Sequence, residues 1–139
     1  NVLQSQSTSM TASVSQWAGV AALNGPQDFI AYNNTRFVAR RDAVAKAMNA
    51  IDGISCAIPQ GAFYVYPAVD GLIGKRTPAG TTITSDEDLA LYMLDSVGVA
   101  VVFGAAFGTS PAFRISYAAA DDVLAEACSR IAQSVSVLT

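Results

Sequence analysis

The sequence predicts an α/β fold in which a small sheet is covered by helices, with a long linking helix near the N-terminal end. Two observations carry this. Apolar residues recur at helical spacing in several segments, and strand-like runs rich in Val, Phe and Tyr lie between the later ones. The resulting order of helix, helix, strands, helix, strands, helix leaves a sheet too small to bury itself. With 139 residues the chain is long enough for one real core, and no internal repeat interrupts it.

Asn1 to Ser9 alternates apolar and polar residues briefly, as a short strand would, then becomes a hydroxyl-rich turn at Ser7-Thr8-Ser9. Thr11 to Leu23 reads as a helix, with Val14, Trp17, Ala18, Ala21 and Ala22 at helical spacing and a Ser or Thr ahead of them to cap it. Asn24-Gly25-Pro26 stops it. A longer helix is expected from Gln27 to Ile51, its stripe formed by Ile30, Phe37, Val44, Met48 and Ile51. Arg36, Arg40 and Arg41 fall on other faces and read as a solvated basic face.

Ile54 to Val69 is strand-rich and is broken by Pro59-Gln60-Gly61, with Phe63 and Val65 expected to point opposite to Tyr64 and Tyr66. Asp70 to Thr84, with Gly71, Gly74, Pro78 and Gly80, reads as an exposed, mobile loop tipped by Lys75 and Arg76. Ser85-Asp86-Glu87-Asp88 opens a helix through a capping box, and Gly98 closes it. Asp121-Asp122 opens the last helix, whose Leu124, Ala127, Cys128, Ile131, Val135 and Leu138 face a core.

Composition excludes several functions. Hydrophobic residues make up 52% and charged residues 14%, so some apolar surface is expected to be covered by another chain or by a missing part of this one. A net charge of -3 without a basic run argues against nucleic acid. No apolar stretch is long enough to span a membrane and no signal peptide is visible, so a cytoplasmic protein is the expectation. Histidine is absent, which removes His-based triads and the commonest metal ligand. Cys56 and Cys128 lie in apolar segments and read as buried free thiols.

The stretch Val99 to Ala118 (VAVVFGAAFGTSPAFRISYA) is where chemistry concentrates. Two strand-like runs flank a Gly-rich turn, and the second holds a single charge, Arg114. In Phe113-Arg114-Ile115-Ser116-Tyr117 a strand presents Arg114 and Ser116 on one face. A strand arginine either receives an anion, a carboxylate suiting its planar fork best, or reaches past the strand to solvent or a nearby acid. The residues alone leave these alternatives open.

The strings Gln4-Ser5-Gln6-Ser7-Thr8-Ser9, Ala22-Leu23-Asn24-Gly25-Pro26, Pro59-Gln60-Gly61-Ala62-Phe63-Tyr64, Phe107-Gly108 and Phe113-Arg114-Ile115-Ser116-Tyr117-Ala118 resemble, in the same order, the C-terminal part of aspartate aminotransferase-like enzymes. These are class I aminotransferases, pyridoxal-phosphate enzymes of fold type I, and the resemblance covers essentially the whole chain. It implies that residues 1–25 end the family's large domain and that residues 26–139 form its C-terminal small domain. It also implies a homodimer, amino acid and 2-oxo acid substrates with aspartate the leading guess, and a missing large domain. Arg114 inherits the role of binding the substrate's α-carboxylate through a bidentate pair. The Ser7-Thr8-Ser9 turn resembles a region near the dimer interface and the mouth of the active site.

The departures matter as much. The family's lysine, which holds pyridoxal phosphate covalently, has no counterpart here: Lys46 and Lys75 are the only lysines and neither lies in the lysine motif. The acidic partner of the pyridine nitrogen and the phosphate-binding turn are missing too. No catalytic or cofactor-binding residue is therefore expected in this segment, which alone should be inactive. Where the family usually has proline before glycine this chain has Phe103-Gly104, which leaves the local turn shape open. The alternative function is a stand-alone carboxylate-binding or regulatory module without catalysis, or a remnant that only associates with other subunits. The chain's start without Met favours a fragment of a transaminase.

Overall fold

A computed structural model describes residues 2–7 and 10–139. It divides into two compact units, residues 1–34 and 35–139, with the boundary inside one helix.

In the first unit, α1 spans Val2–Ser7 and α2 spans Ser13–Asn24. The expected short strand at the start is instead a helix, since Leu3, Gln4 and Gln6 are good helix formers and only Val2 is β-branched; within it the Ser7 hydroxyl donates back one turn to the Leu3 carbonyl at 2.8 Å. Thr8 and Ser9 of the hydroxyl-rich turn lie outside the described residues. The N-cap position of α2 is Ala12, which has no side chain able to cap it, contrary to the expected Ser or Thr cap. Its far end behaves as expected: the Gly25 N–H bonds Ala21 O at 2.8 Å, and a Cβ at Gly25 would lie 2.6 Å from that same oxygen. No residue of α2 is buried, and Val14, Trp17 and Leu23 are almost fully exposed.

α3 runs Asp28–Asn49 and carries the chain into the second unit. Its stripe works there: Val44 and Met48 are buried, with Phe37 and Ile51 packed against the core. The basic residues depart from a solvated face. Arg40 pairs with Asp121 and sits 6.0 Å from the Phe37 ring, while Arg41 pairs with Asp42 at 2.8 Å and donates to the Pro59 carbonyl at 3.2 Å. Long stems let these side chains lie along apolar surface while their heads find oxygen.

The sheet has three antiparallel strands in the order β1-β3-β2: β1 Tyr64–Val65, β2 Val102–Phe103 and β3 Phe113–Ser116. Most of Ile54 to Val69 is therefore irregular, with isolated bridges from Ala68 to Ser55 and to Ala112. Its prolines remove the donors that a continuous ladder needs. The expected mobile loop from Asp70 to Thr84 is also corrected. Residues Asp70–Leu72 form a 3₁₀ turn, Leu72, Thr77 and Ile83 are buried, and Gly74 N–H bonds Ile83 O at 2.8 Å. At its base the Gly53 and Gly71 backbones cross so closely that a Cβ on Gly71 would sit 2.5 Å from Gly53 Cα.

α4 spans Asp86–Val97 and α5 spans Asp121–Ser136. Ser85 Oγ accepts the Asp88 N–H at 3.1 Å, while the Asp88 carboxylate accepts the Thr84 N–H at 3.0 Å, and Gly98 ends α4 in the left-handed region. Both helices pack their apolar stripes on the sheet, enclosing Leu89, Met93, Phe113, Leu124 and Ile131. Each such fully buried side chain contributes roughly 1.5–3 kcal/mol. This is the small helix-covered sheet of an α/β domain. Cys56 is buried and Cys128 half-buried, both as free thiols.

Candidate functional site

The central strand β3 positions the site. Its register pairs Val102 with Arg114 and Phe103 with Phe113 on one side, and Tyr64 with Ser116 and Val65 with Ile115 on the other. The pleat sends Phe113 and Val65, both fully buried, into the core. Arg114, Ser116, Val102 and Tyr64 share the opposite face.

Two aromatic rings lie within cation–π range of the Arg114 guanidinium. Its central carbon is 4.3 Å from the Tyr64 ring centroid and 4.1 Å from that of Phe107. The Phe63 ring lies 4.4 Å from that of Tyr64, tilted by 38°. That arrangement overturns the expectation that Phe63 and Tyr64 point apart. Ala62, at φ +60°, turns the chain just before β1, so pleated alternation begins only at Tyr64. The turn is held by Tyr117, whose hydroxyl donates to Ala62 O at 2.9 Å and whose N–H bonds Phe63 O at 2.9 Å.

Among the described residues, no carboxylate stands within ion-pair distance of Arg114, and no side chain or carbonyl accepts a hydrogen bond from it. It is half-buried, with no buried nitrogen lacking a partner, so its N–H edge reaches solvent. Arg114 also borders a cavity of about 270 Å³ beside Tyr64, Val102, Ser116 and Cys128. Burial pushes the Cys128 thiol above its ordinary range.

Phe107 owes its place to a tied turn. Residues Gly104–Phe107 form a 3₁₀ turn closed by left-handed Gly108. The Tyr66 hydroxyl meets the carbonyls of Gly104 at 3.0 Å and Thr109 at 3.2 Å. The buried Asp86 carboxylate accepts the N–H groups of Ala105 and Ala112, both at 3.1 Å. A Cβ at Gly104 would lie 2.1 Å from Thr109 O, so only glycine fits. Phe103 adopts φ -64° and ψ 147°, the φ that a proline ring would impose, and so answers the open question of turn shape.

The sequence singled out Arg114 as a candidate and gave Tyr64, Phe107, Tyr66 and Asp86 no place beside it. The aromatic runs around the arginine were the available signal for the rings. Asp86 looked like an ordinary helix-start acid and gave none.

Lys46 is exposed on α3, and Lys75 lines a separate cleft with Asp52, Ala132 and Leu138. Neither borders the Arg114 cavity. Among the described residues no cluster of metal-ligating side chains occurs, and no helix is long and apolar enough to cross a membrane.

The family model described as aminotransferase class I and II matches residues 1–131. An aspartate/prephenate aminotransferase of Cereibacter sphaeroides is 56% identical over 129 residues, covering 93% of this chain and 32% of that protein. An aspartate aminotransferase of Rhizobium meliloti is 53% identical over 131 residues, covering 94% and 32%. The crystal structure of the aspartate aminotransferase from Rhizobium meliloti superposes with a TM-score of 0.95 at 50% identity, over 99% of this chain and 34% of that one. An alanine aminotransferase from Pyrococcus furiosus gives 0.75 at 31% identity, over 87% and 29%. The chain spans about a third of the length of the curated relatives it matches.

Proposed function

This chain belongs to the class I and II aminotransferases, and from that premise we propose that it supplies the substrate-carboxylate clamp of a transaminase. The enzyme moves an amino group between an L-amino acid and a 2-oxo acid, and Arg114 holds the α-carboxylate of each. One observation carries this reading: a guanidinium in a central strand, without an acid or acceptor from the described residues, presents its N–H edge to solvent. Such an edge meets both oxygens of a carboxylate through parallel charge-assisted hydrogen bonds. The carboxylate is then held flat in one orientation, which fixes where the amino-bearing carbon points. Aspartate is the leading amino acid, in keeping with the names of the relatives, and prephenate joins it as an oxo-acid candidate.

The family is generally dependent on pyridoxal phosphate, which supplies an electron sink when bound. Since neither Lys46 nor Lys75 neighbours Arg114, the holder of that group belongs to the remaining two thirds of a full-length enzyme. Residues 1–25 then close the large domain and residues 26–139 form the small one. The exposed Val14, Trp17 and Leu23 on α2 suit burial by the large domain or by the second subunit of a cytoplasmic homodimer. The 139-residue segment alone is expected to be inactive.

The test is Arg114→Lys in the full-length, cofactor-loaded enzyme. Losing a bidentate charge-assisted contact worth about 1.5–3 kcal/mol lowers kcat/KM for amino and oxo acids by roughly 10- to 100-fold. An unchanged kcat/KM would show that the carboxylate is held elsewhere.

A further inference from the structure

Resting on the reading of Arg114 as the carboxylate clamp, we propose that Tyr64 and Phe107 are its positioning and specificity residues. Together they cover both faces of the guanidinium and leave only its in-plane edge for a planar oxyanion. The centroid distances of 4.3 and 4.1 Å put both rings within cation–π range, Tyr64 carried by β1 on one flank of β3 and Phe107 by the turn after β2 on the other. A long arginine on a strand otherwise samples many rotamers, and freezing them at the moment of binding would cost affinity. Here the stack freezes them beforehand.

Each ring is itself held. Tyr64 is set by its pairing with Ser116 and backed by the Phe63 ring. Phe107 rides on the turn fixed by Tyr66, Asp86 and Gly104. With its faces covered, the guanidinium can donate only within its own plane. A carboxylate lies in that plane with both oxygens. A tetrahedral phosphonate or sulfonate carries further oxygens that project above and below, toward the rings. The clamp therefore selects carboxylates by shape as well as by charge.

The experiment compares Tyr64→Leu, Phe107→Leu and Arg114→Lys in the full-length, cofactor-loaded enzyme. The measurements are steady-state kinetics on aspartate and inhibition by a dicarboxylate and by its phosphonate analogue. Each Leu variant is expected to raise KM about fivefold with little change in kcat, and to narrow the preference for dicarboxylate over phosphonate by a similar factor. Tyr64→Phe, which keeps the ring, should recover most of what Tyr64→Leu loses. A role in folding alone would move the melting temperature and leave the inhibitor ratio untouched. If Tyr64→Leu fails to fold, Phe107→Leu decides alone, because that ring is 48% exposed on a surface turn. Leu variants with unchanged KM and inhibitor ratio, beside a damaged Arg114→Lys, would overturn the ring proposal and leave the carboxylate clamp standing. An undamaged Arg114→Lys would remove both.

Discussion

Asp86 offers the sharpest test of how the site is built. Its carboxylate is 1% exposed, and one oxygen accepts the N–H groups at both ends of the turn that carries Phe107. Replacing it with Ala strands the donor of Ala112, whose bond is buried, and frees that of Ala105, which can reach water. A stranded buried donor costs about 1–3 kcal/mol, while a net hydrogen bond lost to solvent costs about 0.5–1.5 kcal/mol. The carboxylate's own desolvation penalty is relieved at the same time, which trims the total. The expected loss is about 2–4 kcal/mol, an overall figure that includes the small void left behind. With a urea slope of about 2 kcal/mol per molar, the midpoint should fall by about 1–2 M. Asp86→Asn keeps an acceptor of nearly the same shape and should lose about 1 kcal/mol. Urea unfolding followed by far-UV circular dichroism reads both variants. Equal midpoints for Asp86→Ala and the parent would refute the claim that this carboxylate ties the turn. So would an Asp86→Asn variant weaker than Asp86→Ala.

Two further outcomes bear on the frame around the site. Gly104→Ala drives a methyl group to 2.1 Å from a backbone oxygen, and should cost about 3 kcal/mol or more in the same urea titration; a parent-like midpoint would mean the turn can open without penalty. The Thr84 hydroxyl and N–H bonds hold the Asp88 carboxyl below its ordinary value, so its stabilising share is complete above the usual carboxylate range and fades as pH falls through that lowered value. Asp88→Asn should therefore differ from the parent at neutral pH and converge with it in acid; a constant difference across pH would contradict the assignment.

The helices from α2 onward were legible because each law they obey is local. Val44 and Met48 sit where a 3.6-residue period puts them, Ser85 caps where its hydroxyl can reach Asp88, and Gly98 stops α4 where a left-handed residue is needed. What escaped the sequence is what depends on distant partners. Asp70 to Thr84 carries the glycines and polar residues of a free loop, yet Leu72 and Ile83 are buried and its backbone donors are met. Ala62 gives no hint of its positive φ, because a residue with a Cβ rarely adopts that conformation. Arg40 and Arg41 read as solvated because their carboxylate and carbonyl partners cannot be known before the chain folds. At the site, Arg114 stood out as a lone charge in an apolar strand, whereas the distance from Phe107 to Arg114 is fixed by Asp86, 28 residues upstream of the arginine.

The alternation along β3 divides the labour of neighbouring positions. Phe113 answers to the core, while Arg114 and Ser116 answer to whatever lies outside it. Ladder bonds on both edges fix the backbone between these tasks. Substitutions at exposed Val102 and Ser116 can therefore retune the surroundings of the guanidinium without disturbing the fold beneath. For an engineer wishing to redirect such an enzyme, these two positions form a small library in which selectivity is searched at nearly constant stability.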